Sequence, residues 1–196
     1  TWDVVYRIVA TNAGGATGIY TLTDQPIFDN DVTLNSASFA STAPVVSGAL
    51  PGVGPWTLGA NVSLDAGASH VYTLVANVTL NLNGGAGDDV YTRCEPVPDG
   101  APNQGLFNRA TLTLPGQPGR DADACGDLPN ITHDKEFVSV TQVTTNTWDV
   151  VYRIRVTNIG GVAGQYDLTD QPDFDDDIAI TGASFVSTVP SGGALG

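Results

Sequence analysis

The sequence predicts an all-β chain built on a repeated unit, and three observations carry that reading. Residues 1–8 read TWDVVYRI, and residues 147–154 read TWDVVYRI again. TNAGGATGIYTLTDQPIFDNDV at 11–32 faces TNIGGVAGQYDLTDQPDFDDDI at 157–178, and ASFAST at 37–42 faces ASFVST at 183–188, always at an offset of 146 residues. Apolar and polar residues alternate with period two over short runs, and no sustained 3.6-residue stripe appears. Clusters of Gly, Pro, Asn and Asp separate these runs: NAGG, GALPGVGP, LDAGAS, NGGAGDD, PVPDGAPNQG. A fixed internal period marks an array of stacked or linked units.

Taken in order, WDVVYRIVATN places Trp2, Val4, Tyr6 and Ile8 on one face of a strand. GIYTLTD places Tyr20, Leu22 and Asp24 together. HVYTLVANVTLNL gives the longest alternation, with Tyr72, Leu74, Ala76, Val78, Leu80 and Leu82 inward and Asn77, Thr79 and Asn81 outward. LFNRATLTL aligns Leu106, Asn108, Ala110, Leu112 and Leu114 on one face and Phe107, Arg109, Thr111 and Thr113 on the other. KEFVSVTQV, from Lys135, opens the next copy. About seven short alternating strands between turns is the pattern of an immunoglobulin-like β-sandwich in tandem repeat, with a closed barrel as the alternative. The boundary falls at DLPNITHD. Residues 1–133 form a first repeat whose opening strand is missing, and 134–196 form the start of a second, incomplete one. That fragment is too short to close a core alone, so it reads as an excerpt of a longer chain or as one completed by a neighbour.

The balance is acidic, with 21 Asp and Glu against 7 Lys and Arg and a net charge of −14. Phosphate binding needs clustered Lys and Arg, so nucleic acid is a poor partner. With 41% hydrophobic residues the chain is not of disordered composition. No apolar run is long enough for a membrane helix. The only two cysteines, Cys94 and Cys125, flank the strand NRATLTL and read as a disulfide made in an oxidising compartment, hence extracellular or at a cell surface.

YRIVATNAGG, TLTDQP, WTLGANVSLDAGASHVYTL and LFNRATLTL together resemble the tandem repeats of bacterial surface proteins known as "domain of unknown function eleven". Those repeats are related to the collagen-adhesin B-type and pilin immunoglobulin-like domains. The resemblance covers nearly the whole repeat, and it implies a sandwich fold and a surface role. In the related pilin and adhesin domains it also implies a lysine on the first strand, an asparagine on the last and an acid between them.

The residues here permit that chemistry. Lys135 is the only lysine. Asn108 is in phase with core positions, as are Asp24 and its second-copy equivalent Asp170. Buried Asn and Asp side chains demand partners. A lysine amine beside them in an apolar core attacks the carboxamide while the acid relays protons, giving an isopeptide bond and ammonia. In KEFVSV, Lys135 shares a face with Phe137 and Ser139 while Val138 and Val140 take the other, so alternation leaves its direction open. Lys135 belongs with Asp170, and Asp24 and Asn108 with a lysine preceding Thr1. A bond from Lys135 to Asn108 requires a shared or exchanged strand.

Acid-rich loops form a second constellation, with Asp29 and Asp31 in the first copy and Asp175 and Asp177 in the second. Clustered carboxylates suit calcium, although no EF-hand spacing is present. No cofactor is expected: solvated turns are the expected reading of these carboxylates, with calcium as the alternative. Trp2 and Trp148 are in phase with core residues and read as packing rather than sugar stacking. His70 and His133 form no catalytic arrangement with a serine and an acid, so no enzyme is expected. The expected function is a structural repeat of an extracellular fibre, stalk or sheath that partners other copies of itself. The alternative is an adhesin module binding a host protein or glycan.

Overall fold

Ten strands account for most of the described residues, and no helix occurs among them. The structure is a computed structural model in which residues 1–80, 94 and 104–188 are described. It divides into two compact units, Thr1–Gly164 and Gln165–Gly196.

In the first unit the alternating runs become β1 (Trp2–Thr11), β2 (Gly18–Pro26), β3 (Val32–Ser41), β4 (Ser47–Leu50), β5 (Trp56–Leu64), β6 (Ser69–Leu80), β7 (Asn108–Thr113) and β8 (Arg120–Ala124). They form two four-stranded antiparallel sheets, ordered β1-β6-β3-β4 and β5-β2-β7-β8. The longest alternation, β6, lies between β1 and β3, where both its edges are hydrogen-bonded. Its inward residues Leu74, Ala76 and Val78 are completely buried. The core interleaves Tyr6, Ala10, Tyr72 and Leu74 of one sheet with Tyr20, Leu22, Trp56, Leu58 and Ala110 of the other. That is the sandwich the period-two pattern predicts. A smaller cluster of Ala76, Val78, Leu106 and Leu128 closes one end.

Two further strands, β9 (Ile131–Thr144) and β10 (Thr147–Asn158), pair as an antiparallel hairpin of their own. β9 therefore begins four residues before Lys135. Two irregularities interrupt its ladder, one of them between Val151 and Tyr152, where the partner changes from Ser139 to Phe137. Val138 is the extra residue of this bulge. Directly opposed residues of an antiparallel pair share a face. Phe137 thus sits with Tyr152 and Lys135 with Ile154, while Val140 beyond the bulge joins them opposite Val150. The bulge supplies the direction of Lys135 that plain alternation leaves open.

The repeated text carries repeated turns. Asn12 Nδ2 donates to Ala16 O and its Oδ1 accepts from Gly14 N; 146 residues on, Asn158 Nδ2 donates to Val162 O and its Oδ1 accepts from Gly160 N. Asp29 Oδ1 accepts from Asp31 N, and in the second unit Asp175 Oδ1 accepts from Asp177 N. Strands do not recur so faithfully. The second unit has no strand among its described residues, although YDLTDQP there matches the text of β2. β2 lies between β5 and β7. No flanking strands occur among the described residues of the second unit, and a strand without partners has no ladder to join.

Three side chains depart from their expected places. Phe107, expected outward, is fully buried. It lies just before β7, in a segment whose carbonyl accepts from Ile27 N, so the alternation of the strand does not reach it. Arg109 instead lies over its ring, 5.5 Å from the centroid. Trp2 and Trp148, expected in the core, are 43% and 52% exposed, because each opens a strand at the margin of its sheet. Leu82 and Asn81 fall outside the described residues.

Candidate functional site: a buried Asp24–Asn108 pair

β2 and β7 run antiparallel, with Asp24 opposite Ala110 and Pro26 opposite Asn108. Both polar side chains face the core, and both are buried. Asn108 Nδ2 donates to Asp24 Oδ1 at 2.8 Å. Asp24 Oδ2 and Asn108 Oδ1 are buried with no hydrogen-bond donor among the described residues. Two orphaned acceptors at one point of an apolar core are costly, and the remedy is a donor between them. Burial pushes the Asp24 carboxyl up to about 6, a rise that the Asn108 hydrogen bond only partly opposes. A carboxyl so placed both gives and takes a proton near neutrality.

Neighbouring strands shape the pocket. Trp56 on β5 lies opposite Asp24, with its Nε1 held by Pro51 O. Tyr6 on β1 donates from its hydroxyl to Leu106 O at 2.6 Å, two residues before Asn108. Burial, and secondarily the charge of Asp24, raise the Tyr6 hydroxyl pKa, so it stays a neutral donor. Sequence periodicity placed Tyr6 in the core without this role, and the signal for it was the hydroxyl, since a buried tyrosine needs a partner. Tyr6→Phe strips Leu106 O of this donor and should cost about 1 kcal/mol in urea unfolding. A second group, the buried Tyr20 and Tyr72 with the half-buried His70, is joined through hydroxyl contacts of 2.7 and 2.9 Å.

Lys135 lies on β9 with its Nζ 4.8 Å from the centroid of the Tyr152 ring. Tyr152 is the second-copy equivalent of Tyr6. Asp170, the equivalent of Asp24, is exposed in the second unit, where its segment forms no strand. Of the acid-rich loops, Asp29 is buried and caps its own turn, with Asp31 half-buried beside it. Asp175, Asp176 and Asp177 bring exposed carboxylates within 4.8 Å of one another.

Cys94 and Cys125 form the expected disulfide, with Cα atoms 5.9 Å apart. It ties the chain before β7 to the chain after β8, and Cys94 N donates to Asp127 Oδ1. Gly105, with φ +43°, packs against it. A Cβ there would lie 2.6 Å from Gly126 O and within 3.5 Å of both sulfurs, so only glycine fits.

No protein-family model, no curated protein and no solved structure matches this chain. The site is therefore read from its own chemistry. It holds an acid poised near neutral pH, a carboxamide fixed against it and two acceptors lacking a donor. The single lysine of the chain, Lys135, lies elsewhere, on β9.

Proposed function

We propose that this chain is a structural repeat of an extracellular bacterial surface fibre, stalk or sheath, of the kind that "domain of unknown function eleven" repeats supply. One observation carries the reading: text and turn geometry both recur at a single offset of 146 residues. The disulfide suits an oxidising compartment, and the net charge of −14 favours a solvated, mutually repelling exterior. No helix among the described residues is long and apolar enough to cross a membrane.

In this reading the Asp24–Asn108 pair is the acceptor half of a covalent lock. A neutral lysine amine attacks Cγ of Asn108, and a new C–N bond forms. Asp24 takes the proton from the amine and returns it to the leaving Nδ2, so the old C–N bond breaks and ammonia departs. Atoms balance, and no oxidant is needed. Lys135, the one lysine, is the donor.

Intact mass after full reduction tests the lock. Crosslinked species should weigh less by one ammonia per bond, and Asn108→Ala or Lys135→Arg should restore the full mass. An unchanged mass in the parent chain sinks the lock. Negative-stain microscopy and sedimentation test the structural role, with elongated, concentration-dependent assemblies expected. A strictly monomeric chain that binds a matrix protein or glycan saturably would instead make it an adhesin module.

A further inference from the structure

β1 ends its sheet, so one of its edges carries no strand among the described residues. Which residues serve that edge is fixed by two hydrogen bonds. Successive residues of a strand point their N–H and C=O groups to opposite edges. Asn12, just beyond β1, donates to Ala68 O at 3.0 Å and accepts from Gly67 N at 2.8 Å, so even-numbered positions face the β6 side. In the second copy Ile159 N, standing where the first copy has Ala13, donates to Asn130 O at 2.8 Å, so odd-numbered positions face β9. β9 therefore holds β10 by the edge that on β1 carries no strand among the described residues.

We propose that the open edge of β1 takes up β9 from a second copy of this chain, in the register that β9 keeps with β10. The proposal rests on the structural-repeat reading above and names its partner. Because residues 1–8 and 147–154 are identical, β9 moving from β10 to β1 meets the same residues except at Asp134 and His133, which face Val9 and Ala10 in place of Arg155 and Val156. It exchanges one ladder for a nearly equal one, the low-cost route by which identical elements swap between protomers. The gain lies in what surrounds β1. In the hairpin Phe137, Val140 and Tyr152 stay exposed, whereas Tyr6 is buried on a closed core.

Carried across, the register sets Lys135 opposite Ile8, Phe137 opposite Tyr6 and Val140 opposite Val4, all on the inward face of β1. Glu136, which pairs with Arg153 at 2.9 Å, meets Arg7 at the equivalent position. Lys135, seated over the Tyr152 ring, comes to sit over Tyr6, the residue on which the charge of Asp24 acts. The missing donor for Asp24 Oδ2 and Asn108 Oδ1 is then a lysine supplied by another copy.

A labelled peptide of residues 131–144 is the probe, titrated into the full chain and followed by fluorescence anisotropy. It should bind saturably, and Lys135→Glu in the peptide should weaken binding at least about tenfold, the scale of one lost charge-assisted contact. Val5→Pro in the chain removes an N–H from the open edge without touching the β6 ladder, as edge strands tolerate. It should abolish binding, whereas Val151→Pro, the same change on β10, should not. If Val5→Pro unfolds the chain, amide hydrogen exchange of the parent replaces it, with Val5 and Arg7 expected to gain protection when peptide is added. No saturable binding overturns the proposal, as does binding lost only in Val151→Pro or protection confined to β10. Peptide that binds without loss of ammonia leaves the docking intact and removes the covalent lock. Peptide that fails to bind a chain still forming elongated assemblies removes the docking and leaves the structural role.

Discussion

Replacing Cys94 and Cys125 together by alanine should lower the unfolding free energy of the sandwich by about 4 kcal/mol. The bond closes a loop of sequence separation 31, and chain-entropy reasoning gives roughly that figure for a loop of such length. For a unit of this size the thermal midpoint should fall by roughly 8–15 °C. The loss should concentrate where the bridge acts, at the segment entering β7 and the one leaving β8. Leu106 N donates to Gly126 O and Asp29 N to Gly105 O there, so amide exchange at both positions should quicken first. The same segment carries Asn108 into the core, so the double variant should also loosen the Asp24 site. A midpoint unchanged within a degree or two would show that packing of Phe107 and Leu128 alone holds the two segments together.

The second large effect concerns pH. The Asp24 carboxyl rises from its ordinary 3.8 to about 6 on folding, chiefly through burial. The folded state therefore binds the proton more tightly than the unfolded state between those values. Stability is fully present below about pH 4 and is lost as pH rises through about 6. At about 1.4 kcal/mol per pH unit the loss is on the order of 3 kcal/mol. Asp24→Asn keeps the shape and cannot ionise, so its urea midpoint should lose this slope. Asn108→Ala deletes the hydrogen bond that opposes the shift, so the window should move to higher pH. Asp123, whose carboxyl Arg109 holds below its usual range, acts in the opposite sense in more acidic solution. Identical slopes in the parent and Asp24→Asn would place the titration elsewhere on this acidic surface.

Much of the sandwich was legible because its central strand is regular. Tyr72, Leu74, Ala76 and Val78 alternate without a break, and β1 follows that register throughout, while β3 follows it apart from one irregularity between Leu34 and Ser36. Asp24 and Asn108 could be placed in the core by phase alone. Their contact could not, since it depends on which strand lies beside which, and β2 and β7 are more than eighty residues apart in sequence. Phe107 was misplaced because strand alternation was extended past the strand itself. Lys135 resisted reading for a different reason: the Val138 bulge inserts a residue, and period two holds only on each side of it. The unlike fates of TLTDQP and its copy show the same limit. The shared run LTDQP becomes a strand only where partners flank it.

In the proposed exchange one strand would be given and the edge of a different strand would receive it. Contacts of that kind are heterologous, and they close into a ring only if the rotation between neighbours happens to divide a full turn. Otherwise nothing in the contact fixes a stoichiometry. Length would then be decided by supply and by whatever caps the last open β1. Every assembly would also have a direction, with a receiving end and a giving end that remain chemically distinct however many copies lie between them.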